Sequence, residues 1–319
     1  MLAAAISLLS LQSFSQYLKP GIRPGPSIGQ DNPYAPPSIG PTVPTNPYQP
    51  PLPPPPPTPY PNQPAYGLQG FANEEQQAIV WNQQYQRAPS GSWEESNARM
   101  NRDRSIQNAL SALSMPGVFS GMITSQIESF ADQMNAKYQQ APSGSALEGM
   151  YRQAMQIAYR EFNTALLRDV QNLQYDWRNL HNLALQLDQK YQAAPSGSQK
   201  ESAYRQAMTT AWNQFPQAVL FEAQRSSDFR YHENLGIYFE QLYQAASSGS
   251  KKEAMYLQVE TQVFDLGVNS FRSQAYTLPQ PMLYQIQAEY DQKYKSAKSG
   301  SRLERFYIQI RDTARSLIH

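Results

Sequence analysis

Apolar residues recur along this chain at steps of three and four. Behind Ser145 they fall at Tyr151, Ala154, Ala158 and Phe162; behind Ser198 at Tyr204, Ala207, Ala211 and Phe215; behind Ser301 at Tyr307, Ile310, Ala314 and Ile318. Steps of that size place each set on one face of an α-helix. Similar stripes run ahead of these helices: Ile127, Phe130, Met134 and Tyr138, and again Leu180, Leu183, Leu187 and Tyr191. Each pair of stripes predicts a helix–loop–helix hairpin with its apolar faces turned toward each other. The first copy differs. Its second helix carries Ala98, Asn101, Ser105 and Ala109, a polar face that suits a terminal hairpin exposed to water.

The loops between the stripes repeat almost word for word. They read YQRAPSGSWEE, YQQAPSGSALE, YQAAPSGSQKE, YQAASSGSKKE and YKSAKSGSRLE, and their leading tyrosines are Tyr85, Tyr138, Tyr191, Tyr243 and Tyr294. The spacings are 53, 53, 52 and 51 residues. Pro89, Pro142 and Pro195 end the incoming helix, and the glycine of each phrase offers the positive φ of a tight reversal. The serine that follows and a glutamate three residues on form a capping box, S-x-x-E. The pairs are Ser92 with Glu95, Ser145 with Glu148, Ser198 with Glu201, Ser250 with Glu253 and Ser301 with Glu304. That structural role accounts for the most recurrent Ser and Glu, so they carry no catalytic expectation.

The fold class expected is therefore all-α: five hairpin repeats of about 52 residues each, forming a solenoid or an elongated bundle. The repeat domain is placed at 71–319, with hairpin loops near 88–92, 141–145, 194–198, 246–250 and 297–301. Between hairpins, Pro116–Gly117, Pro216, and Pro279 with Pro281 are expected to break the helices. No Pro or Gly falls between Tyr151 and Ala194, so that stretch is open to one long continuous helix, which would make a rod rather than a solenoid.

The N-terminal part follows other rules. The apolar run MLAAAISLLSLQSFSQ, with small residues at Ser13 and Ser15, reads as a signal peptide over 1–15. No basic residue precedes Lys19, which departs from the usual pattern. Residues 16–70 read as a proline-rich, disordered spacer, since 19 of the 26 prolines lie between Pro20 and Pro64. No later stretch is apolar and long enough for a transmembrane helix.

Composition narrows the chemistry. A net charge of +1 excludes a globally basic nucleic-acid binder, and the absence of cysteine excludes disulfides and thiolate sites. His181, His232 and His319 stand at no metal-motif spacing, and His181 and His232 read as packing or surface residues. Paired carboxylates at Glu74–Glu75 and Glu94–Glu95 are expected in helix first turns, where they favour the macrodipole. No catalytic, cofactor or metal site is expected. The second tyrosine series, Tyr151, Tyr204, Tyr256 and Tyr307, reads as stem packing whose hydroxyls reach water or loop backbone. Gln153, Gln206, Gln258 and Gln309 follow two residues later, about 200° around the helix, and form the candidate binding face.

The resulting expectation is an exported, non-enzymatic repeat protein of the periplasm, outer envelope or extracellular space. It would act as a scaffold or binding surface for a protein or a cell-wall polymer. The alternative is an envelope enzyme acting on cell-wall glycan through a glutamate general acid.

Overall fold

The computed structural model describes residues 67–318, all within one unit, Tyr60–His319. The expected signal peptide, nearly all of the proline-rich spacer, and His319 lie outside the described residues. Among those described there are ten α-helices and no strand. They are α1 (Gly67–Arg87), α2 (Trp93–Leu113), α3 (Thr124–Gln140), α4 (Ala146–Asn172), α5 (Trp177–Ala193), α6 (Gln199–Ala223), α7 (Phe229–Ala245), α8 (Lys251–Ala275), α9 (Gln280–Ser296) and α10 (Arg302–Ser316). Helix α1 starts four residues ahead of the boundary expected at residue 71.

Helices pack in sequential pairs, α1 with α2, α3 with α4, α5 with α6, α7 with α8 and α9 with α10. The even-numbered helices also touch in succession, α2 on α4, α4 on α6, α6 on α8 and α8 on α10. The apolar stripes explain both contacts. Tyr151, Ala154, Ala158 and Phe162 are all buried, and so are Tyr204, Ala207, Ala211 and Phe215. Small alanines at the two middle stripe positions let neighbouring helices approach, while the aromatics at either end interlock, as where the Phe162 and Tyr204 rings meet edge-on at 5.5 Å.

The loop phrases join the two helices of each pair, and one hydrogen-bond plan serves all of them. In the first, Ser92 N–H donates to the Pro89 carbonyl at 3.1 Å, closing a four-residue turn. Gly91, third in that turn, has φ +76°, the value a type II turn demands of glycine. Glu95 N–H donates to Ser92 Oγ at 3.0 Å, as a capping box requires. Its carboxylate differs from the expectation. Glu95 Oε2 accepts from the Gly91 N–H at 2.5 Å, one residue earlier than the serine amide, because that amide is already engaged in the turn. Glu148, Glu201, Glu253 and Glu304 take the N–H of Gly144, Gly197, Gly249 and Gly300 in the same way.

Three expectations between the hairpins need correction. The stretch open to a continuous helix is broken: α4 ends at Asn172, and Asp176 caps α5 by accepting from Asn179 N–H at 3.2 Å. An aspartate N-cap does there what Pro or Gly does elsewhere. Pro216 does not break its helix but lies buried inside α6, which runs on to Ala223. The missing amide costs about 3 kcal/mol in an exposed helix; at this site the ring is packed among core residues instead. The break follows at Gln224–Asp228, where Asp228 accepts from Arg230 N–H at 2.9 Å. Lastly, the polar stripe of α2 is not turned to water, since Ala98, Ser105 and Ala109 are buried and Asn101 is half-buried.

Removing one cap isolates its contribution. Ser198→Ala should lower the free energy of unfolding by about 1 kcal/mol, read from urea denaturation. An unchanged midpoint would mean that the turn and the Glu201–Gly197 bond hold the helix start without the serine.

Candidate functional site

Two sets of recurring residues stand apart from the capped loops: one sealed between hairpins, the other exposed. The sealed set begins with the second tyrosine series. Tyr151, Tyr204, Tyr256 and Tyr307 are all buried. Burial pushes each phenol well above its ordinary range, and such a hydroxyl needs a partner. The partner is neither water nor loop backbone, as the sequence suggested. It is a side chain of the preceding hairpin.

At the junction of the second and third hairpins, Tyr204 donates to Glu128 of α3. Lys200 and Lys190 approach the same carboxylate at 2.8 and 3.3 Å, and the Lys190 ammonium lies 5.4 Å from the centre of the Tyr204 ring. Burial alone would raise the Glu128 carboxyl, but hydrogen bonds from Lys200 and Tyr204 and the two lysine charges carry it below its usual value. At the first junction Glu75 of α1 takes the Glu128 role. Lys137 binds it at 2.5 Å and lies 5.7 Å over the Tyr151 ring, whose hydroxyl feels the Glu75 charge. At the last junction Glu233 of α7 binds Lys293 at 2.6 Å and accepts from Tyr290, with Lys293 5.8 Å over Tyr307.

The register of this seam is strict. Glu75, Glu128 and Glu233 stand ten residues before Tyr85, Tyr138 and Tyr243, and Lys137, Lys190 and Lys293 stand one residue before Tyr138, Tyr191 and Tyr294. Glu75 therefore lies well inside α1 and not in a first turn as expected. At the third junction the same two positions hold His181 and Leu242. The His181 ring is buried, its Nε2 2.5 Å from the Tyr256 hydroxyl and its plane stacked 5.3 Å from Phe215. His232 is also a core residue: its Nε2 donates to the Ala223 carbonyl at 3.0 Å, leaving Nδ1 buried without a partner.

The exposed set is the glutamine series. Gln153, Gln206, Gln258 and Gln309 all face out from α4, α6, α8 and α10, the helices that touch in succession. Gln206 also accepts from Asn163 Nδ2 at 2.9 Å, which ties the outer faces of α4 and α6. The ten cap residues occupy the loop ends and are consumed there. Among the described residues no group of three or more His, Asp or Glu could hold a metal ion. A surface depression of about 440 Å³ is lined by Ser125, Glu128, Ser129, Asp132, Gln133 and Ala136, all from α3, so it is one helix face and not a cleft between elements.

One carboxyl sits apart from the seam pattern. Glu260 of α8 is 1% exposed, its Oε2 has no hydrogen-bond partner, and the nearest cation, Arg302 of α10, is 3.8 Å away. Burial pushes it up to about 7, with Arg302 pulling down and Glu240 pushing further up. Because the folded value exceeds the ordinary one, its share of stability is complete below about pH 4.5 and is lost as pH rises through about 7.

Glu260→Gln removes that titration. The melting temperature of the variant relative to wild type should climb between pH 5 and pH 8; a difference that stays constant would mean the carboxyl is charged throughout. For the seam, Tyr204→Ala should cost about 3 kcal/mol or more, as for other buried aromatics. Tyr204→Phe should cost about 1 kcal/mol by removing only the hydroxyl. Denaturant midpoints of the two variants that coincide with wild type would place the ring outside the core.

Nothing among family models, curated proteins or solved structures matches this chain, so the case for its function rests on its own geometry.

Proposed function

We propose that the chain is an exported, five-hairpin helical repeat array that acts as a non-enzymatic scaffold, with the outer face of its second helices as the binding surface. One observation carries the reading. The capping serines and glutamates and the second tyrosine series are spent on turns and junctions, while Gln153, Gln206, Gln258 and Gln309 recur at one register facing out from the helices that touch in succession. A repeat array presents such a series at regular intervals, which suits an extended partner with a repeating polar surface. Amide side chains both donate and accept, and so match the hydroxyls and amides of a cell-wall polymer without requiring charge. Export follows from the apolar leader-like run at residues 1–15, and the proline-rich segment supplies a spacer.

The alternative, a glycan-cleaving enzyme with a glutamate acid, draws on Glu260, the carboxyl held near neutrality. Its burial argues against it. A general acid must come within hydrogen-bond reach of a substrate oxygen, and Glu260 is sealed between α8 and α10.

The test combines four substitutions, Gln153→Ala, Gln206→Ala, Gln258→Ala and Gln309→Ala, in one protein. Wild type should be retained on insoluble cell-wall material without releasing soluble fragments. The variant should lose that retention while melting as wild type does. Release of fragments would favour the enzyme, and unchanged retention would remove the glutamine face from the binding surface.

A further inference from the structure

The third junction breaks the seam pattern at two positions at once. Where three junctions pair a buried or half-buried glutamate with a lysine, this one has His181 at the glutamate's register and Leu242 at the lysine's. The two changes belong together. A neutral imidazole needs no counter-charge, and a leucine supplies none. The tyrosine is kept, since Tyr256 meets His181 Nε2 as Tyr204 meets Glu128. The chain's other described histidine, His232, joins the same two hairpins through Ala223.

The surroundings of His181 are built for the neutral ring. From α6 it meets only Trp212 and Phe215, edge-on at 5.8 Å and stacked at 5.3 Å. From α8 it meets the Tyr256 hydroxyl and the positive charge of Lys252, which is itself held by Asp188 of α5 at 2.9 Å. From α7, Tyr238 stands near the Tyr256 hydroxyl. No carboxylate takes the place that Glu128 fills at the junction before. A proton on this ring therefore creates a buried cation among aromatics, repelled by a lysine.

We propose that the contact between the third and fourth hairpins is an acid-labile seam, which mild acid loosens while the three glutamate–lysine seams stay closed. Burial, reinforced by Lys252, lowers the His181 imidazole to about 4. A ring freed by opening takes up its proton near its ordinary value of about 6.5. Its contribution is thus complete above about pH 6.5 and is lost as pH falls toward 4. The other seams hold a lysine against their glutamate where this one has Leu242, and the Glu128 carboxyl is held below its usual value. Glu260 acts in the opposite sense, gaining a proton in the folded state as pH falls, so acid tightens α8 against α10 while it loosens α8 from α5.

Amide hydrogen exchange of the full chain at pH 7 and pH 5, each rate normalised to that of an unstructured peptide at the same pH, tests this. Protection along the contact of α5 and α6 with α7 and α8 should fall roughly tenfold, while α1 to α4 keep theirs. His181→Gln retains a partner for Tyr256 without the titration, and His181→Glu with Leu242→Lys rebuilds the common seam. Either variant should hold its protection across the two pH values. A uniform loss over all four junctions in wild type overturns the proposal, and so does a loss that survives in His181→Gln.

Discussion

A buried tyrosine hydroxyl must have an acceptor, and meeting that need joins one hairpin of this protein to the next. The rings of Tyr151, Tyr204, Tyr256 and Tyr307 fill the core, but their oxygens end where the preceding hairpin begins. An acceptor left out there would cost about 1–3 kcal/mol. The chain supplies one from the odd-numbered helix, and where that acceptor is a carboxylate it adds a lysine from the next odd helix. The lysine balances the buried charge and lies over the tyrosine ring. Packing, hydrogen bonding and charge thus fix one relative placement of neighbouring helices, which apolar contact alone leaves free to slide.

The two ends of the series show that these residues belong to junctions and not to hairpins as such. In α2, of the first hairpin among the described residues, the tyrosine register holds Ala98, and the lysine register of α1 holds Gln84. In α9, of the last hairpin among the described residues, the glutamate register holds Tyr284, and that side chain is 54% exposed. A glutamate there would be an acceptor without a donor, and a lysine at position 84 a charge without a partner. Each seam residue appears where both halves of a junction exist.

Much of the fold was legible in the sequence because its signals are local. Apolar steps of three and four, a glycine in a four-residue turn and a serine three places before a glutamate each act within one turn of helix. The misread places depend on something beyond that range. Pro216 signals a break locally, but the packing around it holds α6 intact. The turn at Leu173–Asp176 carries no Pro or Gly, and its one signal is the aspartate cap. The seam was written in the sequence as plainly as the loops, at ten residues and one residue before the leading tyrosines. It went unread because its members pair across about 60 to 75 residues, and only a fold brings those positions together.

The same separation bears on how function is distributed. The buried carboxyl of Glu260 and the imidazole of His181 are both enclosed, where a change of protonation bears on the packing of neighbouring helices. The outer glutamines carry no charge and titrate nowhere in the accessible range. On the proposed reading, such a protein would respond to its surroundings through its junctions and meet a partner through its outer glutamines. Changes of pH would then reach the proposed binding face by altering the spacing of α8 from α6 and from α10, and so the distances from Gln258 to Gln206 and to Gln309. An extended partner that spans both residues would itself oppose that separation, because binding across a junction stabilises the closed form in proportion to its preference for it.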